Sequence, residues 1–505
     1  MMARHPEDAA PTPTGDETQH DKAARELLAS GLVAGPDPSV VDDVLDSDDV
    51  SDVYSPTDAE QAVVRTEVHR IYQQILTRAP EHDVQPSLDR VHDALDLLGS
   101  PHRAYPVIQV AGTNGKTSTA RVIEQLLRET GLRTGRFTSP HLSDVRERIA
   151  IDGEPISPEA FVSVWHEVES VITLADERSR AAGGPHLSFF EVFTVMAYAA
   201  FADAPIDVAV VETGMGGRWD ATNVVDGSIA VLTSISRDHE QWLGATLTDI
   251  AREKAGIIAE GATVITAEQR EEVAAVIAEA ATERRARLLS EGTDMGVVDR
   301  QIGVGGQMLA LRTPAATYTD VFLPLHGAHQ AHNALLGLTA VESFFGGGSL
   351  DGGVVEHGMA AVSSPGRLEV VRTSPTIIVD GAHNPASIDA LRDALEEAFD
   401  LRRLVGVVGV MADKEAEAVL AGLEPFLAEI VVTTAATERA MPAADLAEIA
   451  FDVFDEGRVH VAERLDEAID VAVTRAEAAN EPGAGVVVTG SILLVAEARI
   501  LLGRG

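Results

Sequence analysis

From about residue 107 onward, short apolar runs alternate with helix-length amphipathic stretches. Val107–Val110, Val208–Val211, Ile229–Leu232 and Val264–Thr266 are compact and rich in β-branched residues, which predicts buried strands. Thr134–Phe137 reads as another strand. Between them, Thr117–Glu129, Pro158–Glu177, Phe190–Ala202 and Glu271–Arg287 are helix-length stretches and read as helices. Upstream, helical patterns cover Asp58–Thr77 and Ser87–Leu98, the latter with Leu88, Val91, Ala94, Leu95 and Leu98 on one face. Apolar strands interleaved with helices predict a parallel sheet covered on both faces. Asp294–Leu323 breaks the rhythm. Its alternating stretches Met308–Leu311 and Tyr318–Leu323 predict a small antiparallel patch.

A glycine-rich break, Phe345–Gly353, precedes a second alternating series. Its expected strands are Thr376–Val379, Leu404–Val410, Glu429–Thr433, Val459–Val461 and Val486–Thr489, with helices at Ala386–Phe399 and Leu465–Ala479 among the gaps. The fold class is therefore α/β, with two doubly wound domains: a larger one over 58–345 and a smaller Rossmann-like one over 354–505. Residues 1–57 are expected to be an acidic, disordered tail with a short helix near Lys22–Ser30. Residues 1 to 58 hold 14 acidic and 3 basic side chains. Glu177–Leu187, with Ala181-Ala-Gly-Gly-Pro185, reads as a loop insertion.

At 505 residues the chain has material for two or three domains. It has no cysteine, which removes disulfides, thiolate metal sites and thiol nucleophiles. No run of about 18 uncharged apolar residues is present, so no membrane helix is expected. The first residues lack a signal-peptide apolar segment, and a cytoplasmic protein is expected. The net charge of −41 argues against nucleic acid or an anionic membrane as partner. It leaves an anionic small substrate open.

Only four of the 39 basic residues are lysines: Lys22, Lys116, Lys254 and Lys414. Where charge alone is needed this chain uses arginine. A retained lysine is a candidate for a compact ammonium or a deprotonatable amine. The bland alternative is a compositional bias that leaves four lysines by chance.

Gly112-Thr-Asn-Gly-Lys-Thr117 follows a strand and opens a helix. That is the setting of a phosphate loop: backbone N–H groups face the phosphates, Lys116 adds a point charge, and a hydroxyl reaches Mg²⁺. The alternative is an ordinary glycine turn. Glu212 ends a strand in Val211-Glu-Thr-Gly-Met-Gly-Gly-Arg218, and Asp238-His239 follows the next strand. Both therefore stand at the carboxyl edge of the sheet, where open α/β folds bind ligands. A glutamate and a histidine so placed can share a divalent metal, and the hydroxyl of Ser139-Pro-His-Leu142 could join them. A lone His239 would more often be a structural hydrogen-bonder. In the second domain, Asp380-Gly-Ala-His-Asn-Pro385, Lys414 and Thr489-Gly-Ser491 also follow strands. Pro365-Gly-Arg367 lies near its start, where Arg367 could reach a phosphate or cap an interdomain contact.

Taken together, these motifs resemble the folylpolyglutamate synthase and dihydrofolate synthase family, within the wider class of ATP-dependent ligases that includes the Mur ligases. The resemblance runs from about Pro86 to Arg499 and includes Glu253-Lys-Ala-Gly-Ile257, His329-Gln330 and Asn333-Ala334. It implies a larger domain of the P-loop ATPase kind. It also implies ATP-dependent ligation of L-glutamate to dihydropteroate and to reduced folates through an acyl phosphate. By the same resemblance, Gly112, Thr113, Asn114, Gly115, Lys116, Thr117 and Ser118 hold ATP, together with Asn333, Arg367 and Asp380. Ser139, Glu212, His239 and Lys254 are carried over as ligands of two Mg²⁺ ions. Lys254 matches the position that the family carbamylates. Lys116, Lys254 and His239 are the expected catalytic residues, and a monomer is expected. The bland reading of Lys254 is a salt bridge to a neighbouring acid such as Glu253.

Two other readings compete. A Mur-type ligase of cell-wall precursors would carry a separate nucleotide domain ahead of the phosphate loop, and Asp58–Pro106 is too short and too helical for one. A non-catalytic ATP-binding switch would not need Lys254 beside Glu212 and His239.

Overall fold

The computed structural model describes residues 56–80, 85–478 and 483–504. The expected tail up to residue 55, with its short helix near Lys22–Ser30, lies outside them. Residues 56 and 57 open the first described helix, Pro56–Leu76.

The larger unit is built on an eight-stranded sheet. Its strands are β1 (Val107–Ala111), β2 (Thr134–Phe137), β3 (Ile149–Ile151), β4 (Glu154–Pro155), β5 (Val208–Glu212), β6 (Ile229–Leu232), β7 (Thr263–Thr266) and β8 (Arg287–Ser290), in the order β4-β3-β2-β5-β1-β6-β7-β8. The six strands from β2 to β8 run parallel, and β3 and β4 add an antiparallel edge. Central strands are buried along their whole length, which is why they read as continuous apolar runs. Alternate residues feed opposite cores. Val208 and Val210 pack under the helices Lys116–Glu129 and Ala328–Phe344, while Ala209 and Val211 face Phe161, Phe193 and Tyr198.

The expected antiparallel patch is a three-stranded sheet of β9 (Gly296–Gly303), β10 (Gly306–Arg312) and β11 (Thr317–Leu323). The smaller unit carries β12 (Glu369–Thr373), β13 (Thr376–Val379), β14 (Arg403–Val408), β15 (Glu429–Val432), β16 (Val459–Val461) and β17 (Ala484–Thr489), in the order β12-β13-β17-β14-β15-β16. All but β12 are parallel, and a core lies on each face of the sheet.

Three expectations need correction. The helix expected over Glu271–Arg287 stops at Glu283, because Arg285 turns through a left-handed φ of 51° and the chain then enters β8. The helix beginning at Pro158 continues to Ala181, so the first part of the expected loop insertion, Glu177–Ala181, is helical and only the rest is loop. The glycine break does not end the larger unit. Gly352–Ala360 is a helix capped by Asp351, and its Val355 and Met359 pack into the core of the first sheet. The change of core falls instead near Ser364–Gly366, later than the expected boundary at 354.

Candidate active site

Both parallel sheets present their carboxyl ends to one cavity of about 640 Å³. The loop after β1, Glu212 at the end of β5 and Asp238-His239 after β6 line one wall; Asp380–His383 after β13, Lys414 after β14 and Ser491 after β17 line the other. Every expected site residue lines this cavity: Gly112 to Ser118, Ser139, Glu212, His239, Lys254, Asn333, Arg367 and Asp380.

The loop Gly112–Gly115 is shaped by its neighbours. A Cβ on Gly112 would stand 1.8 Å from Thr233 Oγ1, and one on Gly115 would stand 2.4 Å from Asn333 Oδ1. Both glycines also have positive φ, 153° and 88°. Only glycine fits, and the backbone is pressed into a cradle. The first amides of the helix Lys116–Glu129 have no intrahelical acceptor and no side-chain cap. They and the helix dipole favour an anion. The Lys116 ammonium curls over this loop, donating to the carbonyls of Gly112 and Thr113 at 3.3 Å each. The Ser118 hydroxyl is turned away; it is buried against Ser364 Oγ of the interdomain connection at 2.9 Å.

Glu212 is 2 % exposed and accepts from the Thr117 hydroxyl at 3.0 and 2.9 Å and from Ser139 N–H at 3.4 Å. Burial pushes its pKa up, against the Lys116 charge and these hydrogen bonds. A buried carboxylate flanked by two hydroxyl residues at the mouth of a phosphate loop is a donor set that suits a hard cation. Lys254 is 4 % exposed and donates to Gly112 O at 2.6 Å. It makes no ion pair with Glu253, which faces Arg218 at 3.8 Å, so the salt-bridge reading fails. Burial, then the nearby Lys116 charge, brings Lys254 down to about 7. His239 is likewise brought to about 3 by burial, and a neutral imidazole is what a metal ligand must be. Among the described residues no three His, Asp or Glu side chains gather as a metal cluster by themselves. The expected set fits a cation only with Ser139 and a modified Lys254 included.

Asp238 joins the two walls. It accepts from Lys414 Nζ at 2.5 Å and from Asn384 Nδ2 at 3.3 Å, and lies 3.4 Å from His383 Nε2. Burial alone would raise its pKa. The His383 hydrogen bond and the Lys414 charge outweigh it and hold Asp238 well below the usual carboxylate range. Asn384 also exchanges hydrogen bonds with Asn114 of the phosphate loop, at 3.3 and 3.1 Å. Asp380 is fixed by the amides of Leu368 and Ala382, each at 2.8 Å. Arg439, which no sequence signal singled out, also lines the cavity and pairs with Asp413 at 3.2 Å.

Two family models match the chain: the Mur ligase middle domain over residues 166–341 and the Mur ligase glutamate ligase domain over residues 366–492. The dihydrofolate synthase/folylpolyglutamate synthase of Mycobacterium tuberculosis is 48% identical over 448 residues, covering 85% of this chain and 92% of that protein. The chain belongs to the dihydrofolate synthase/folylpolyglutamate synthase family. The enzyme of the same name from Bacillus subtilis is 32% identical over 82% of this chain and 95% of its own length. Among solved structures, the Mycobacterium tuberculosis folylpolyglutamate synthase complexed with ADP and AMPPCP superposes with a TM-score of 0.83 at 47% identity, covering 88% of this chain and 99% of that one. A folylpolyglutamate synthase–AMPPCP–folate complex gives a TM-score of 0.74 at 28% identity, over 88% and 99% of the two chains. The family, the two-unit α/β fold and an ATP-dependent ligase activity are thereby shown. No described helix is long and apolar enough to cross a membrane.

Proposed function

We propose that this protein ligates L-glutamate to two kinds of acceptor, dihydropteroate and reduced folates, in a single cavity. The observation that carries this reading is the convergence of the phosphate loop, the Thr117–Glu212–Ser139 corner and the carboxyl edge of the second sheet on one space. ATP would lie with its phosphates over Gly112–Ser118 and contact Asn333, Arg367 and Asp380. Ser139, Glu212, His239 and a carbamylated Lys254 would hold two Mg²⁺ ions. When bound, the metal supplies neutralisation of phosphate charge. The chain's own residues do the rest by position.

In the proposed reaction a carboxylate oxygen of the acceptor attacks the γ-phosphorus, and ADP leaves. The glutamate amine then adds to the acyl carbon and gives up a proton to solvent, and phosphate departs carrying the carboxylate oxygen that had attacked phosphorus. Lys116 and Arg367, which both line the cavity, would be the positive partners of the charge on the transferring group. The enzyme is taken to act as a cytoplasmic monomer.

The test is ADP release from purified protein with ATP and glutamate, with dihydropteroate in one vessel and tetrahydrofolate in the other. Turnover in both is expected. Turnover with tetrahydrofolate alone would leave a folylpolyglutamate synthase and overturn the double acceptor. Glutamate-independent ADP release in both would favour the switch reading.

A further inference from the structure

The loop Thr138–Asp144 starts in the catalytic corner, touches the smaller unit at Leu142 and Ser143, and returns to the core of the larger unit at Val145. Ser139 N–H donates to Glu212, and Pro140 lines the cavity. Three residues on, Leu142 is 7 % exposed and packs into the core of the smaller unit with Val371 and Val495. Among the described residues it is the one member of that core that precedes Val371. A Cβ on Gly366 would lie 3.3 Å from Leu142 Cδ1, so the leucine sits directly under the interdomain connection. Next to it, Ser143 Oγ accepts from Arg499 Nη1 at 3.1 Å. Arg499 lies on the last described helix and also pairs with Glu369 at 2.9 Å, whose carboxylate accepts Gly366 N–H at 2.7 Å.

The loop is held as one piece by Glu147 and Arg148. The Glu147 carboxylate gathers the amides of Leu142, Ser143 and Asp144, each at 2.9 Å. His141 is buried and its Nδ1 accepts from Arg148 Nε at 2.9 Å. Thr138 N–H donates to Arg148 O at 3.1 Å. These bonds link the Leu142 end of the loop to the segment that carries Ser139. Leu142, Ser143 and Arg499 do not line the cavity.

We infer that Leu142 and Ser143 are positioning residues: by seating in the smaller unit, they set Ser139 against Glu212 only when the two units are docked. The inference rests on the reading of Ser139 and Glu212 as a cation corner. It assigns a leucine and a serine that touch no substrate to the control of that corner. A leucine in a foreign core favours one docking geometry, because any other exposes it to water. The Arg499 fork, held by Glu369, fixes the angle.

The test uses the full chain, with ADP binding measured by calorimetry in Mg²⁺ and in EDTA, and hydrogen exchange of residues 138–144. The wild type should bind ADP more tightly in Mg²⁺. Leu142→Ala should lose about tenfold of that Mg²⁺-dependent gain, the size typical of removing an outer support of a metal site. Its affinity in EDTA should stay unchanged, and the amides of Leu142 to Asp144 should exchange faster. Ser143→Ala should shift in the same direction by less, and Leu142→Met, which conserves volume, should restore the gain. If Leu142→Ala does not fold, Ser143→Ala and Leu142→Met carry the comparison. Equal loss with and without Mg²⁺ would mean the loop only stabilises the interface and would overturn the inference, as would no loss at all. A wild type whose ADP affinity ignores Mg²⁺ would overturn the cation corner itself.

Discussion

Lys116→Ala is expected to lower kcat for ligation by at least about 10²–10³-fold, the loss typical of removing one preorganised charge partner of a transition state. The cavity is lined by the carboxylates of Glu191, Glu212, Asp220, Asp238 and Asp380 and also by basic residues such as Arg367, Lys414 and Arg439; Lys116 is the one lysine of the phosphate loop itself. At the loop, where the phosphates are expected to lie, Lys116 supplies the compact positive charge. Lys116 also opposes the burial that raises the Glu212 pKa, so its removal leaves that carboxylate harder to ionise. Lys116→Arg should fail as well. The ammonium lies within 3.3 Å of two loop carbonyls, and a planar fork has no room to replace it. The side chain is half-buried and supports no core, so the melting temperature should hardly move. Turnover and thermal unfolding of both variants check this; near-normal turnover by either would contradict the phosphate-loop reading.

Lys254→Arg should give a folded protein with kcat reduced by about 10²-fold or more, comparable to losing a support of the metal site. A free ammonium beside a divalent cation repels it, whereas a carbamate offers an oxygen ligand. Forming the carbamate needs the neutral amine and CO₂. Burial lowers Lys254 to about 7, so raising pH through that value removes the proton and makes the amine available. Activity should therefore rise with pH through this range and depend on bicarbonate. Arginine stays protonated and cannot follow. Lys254→Ala should regain part of its activity with short carboxylates such as acetate. The mass of intact protein in bicarbonate reads the modification directly. Full activity of Lys254→Arg would exclude a carbamate role.

The local rules of the chain carried much of this. Buried parallel strands announce themselves as apolar runs, so β1, β5, β6, β13, β14 and β17 were legible within a residue or two. Their order along the chain placed Glu212, His239 and Asp380 at strand ends without any knowledge of contacts. What was not legible had no local signal. Arg287–Ser290 continues a charged helical pattern, and the turn at Arg285 depends on a backbone conformation that the sequence does not advertise. Gly352–Ala360 is helical because Val355 and Met359 find a core, which outweighs the cost of its glycines. Lys414 was conspicuous as a rare lysine, yet its partner Asp238 lies 176 residues away. Leu142 reads as one more apolar residue in a loop, and its place in the smaller unit's core exists only once both units are folded.

The central claim is that a carboxylate is activated by phosphorylation before glutamate attacks it. Labelling the reacting carboxylate of the folate acceptor with ¹⁸O tests this most directly, by mass analysis of the phosphate formed during a single turnover with ATP and glutamate. The account predicts that one labelled oxygen moves from the carboxylate to inorganic phosphate for each amide bond made. Phosphate free of label, with amide formed at the normal rate, would contradict it.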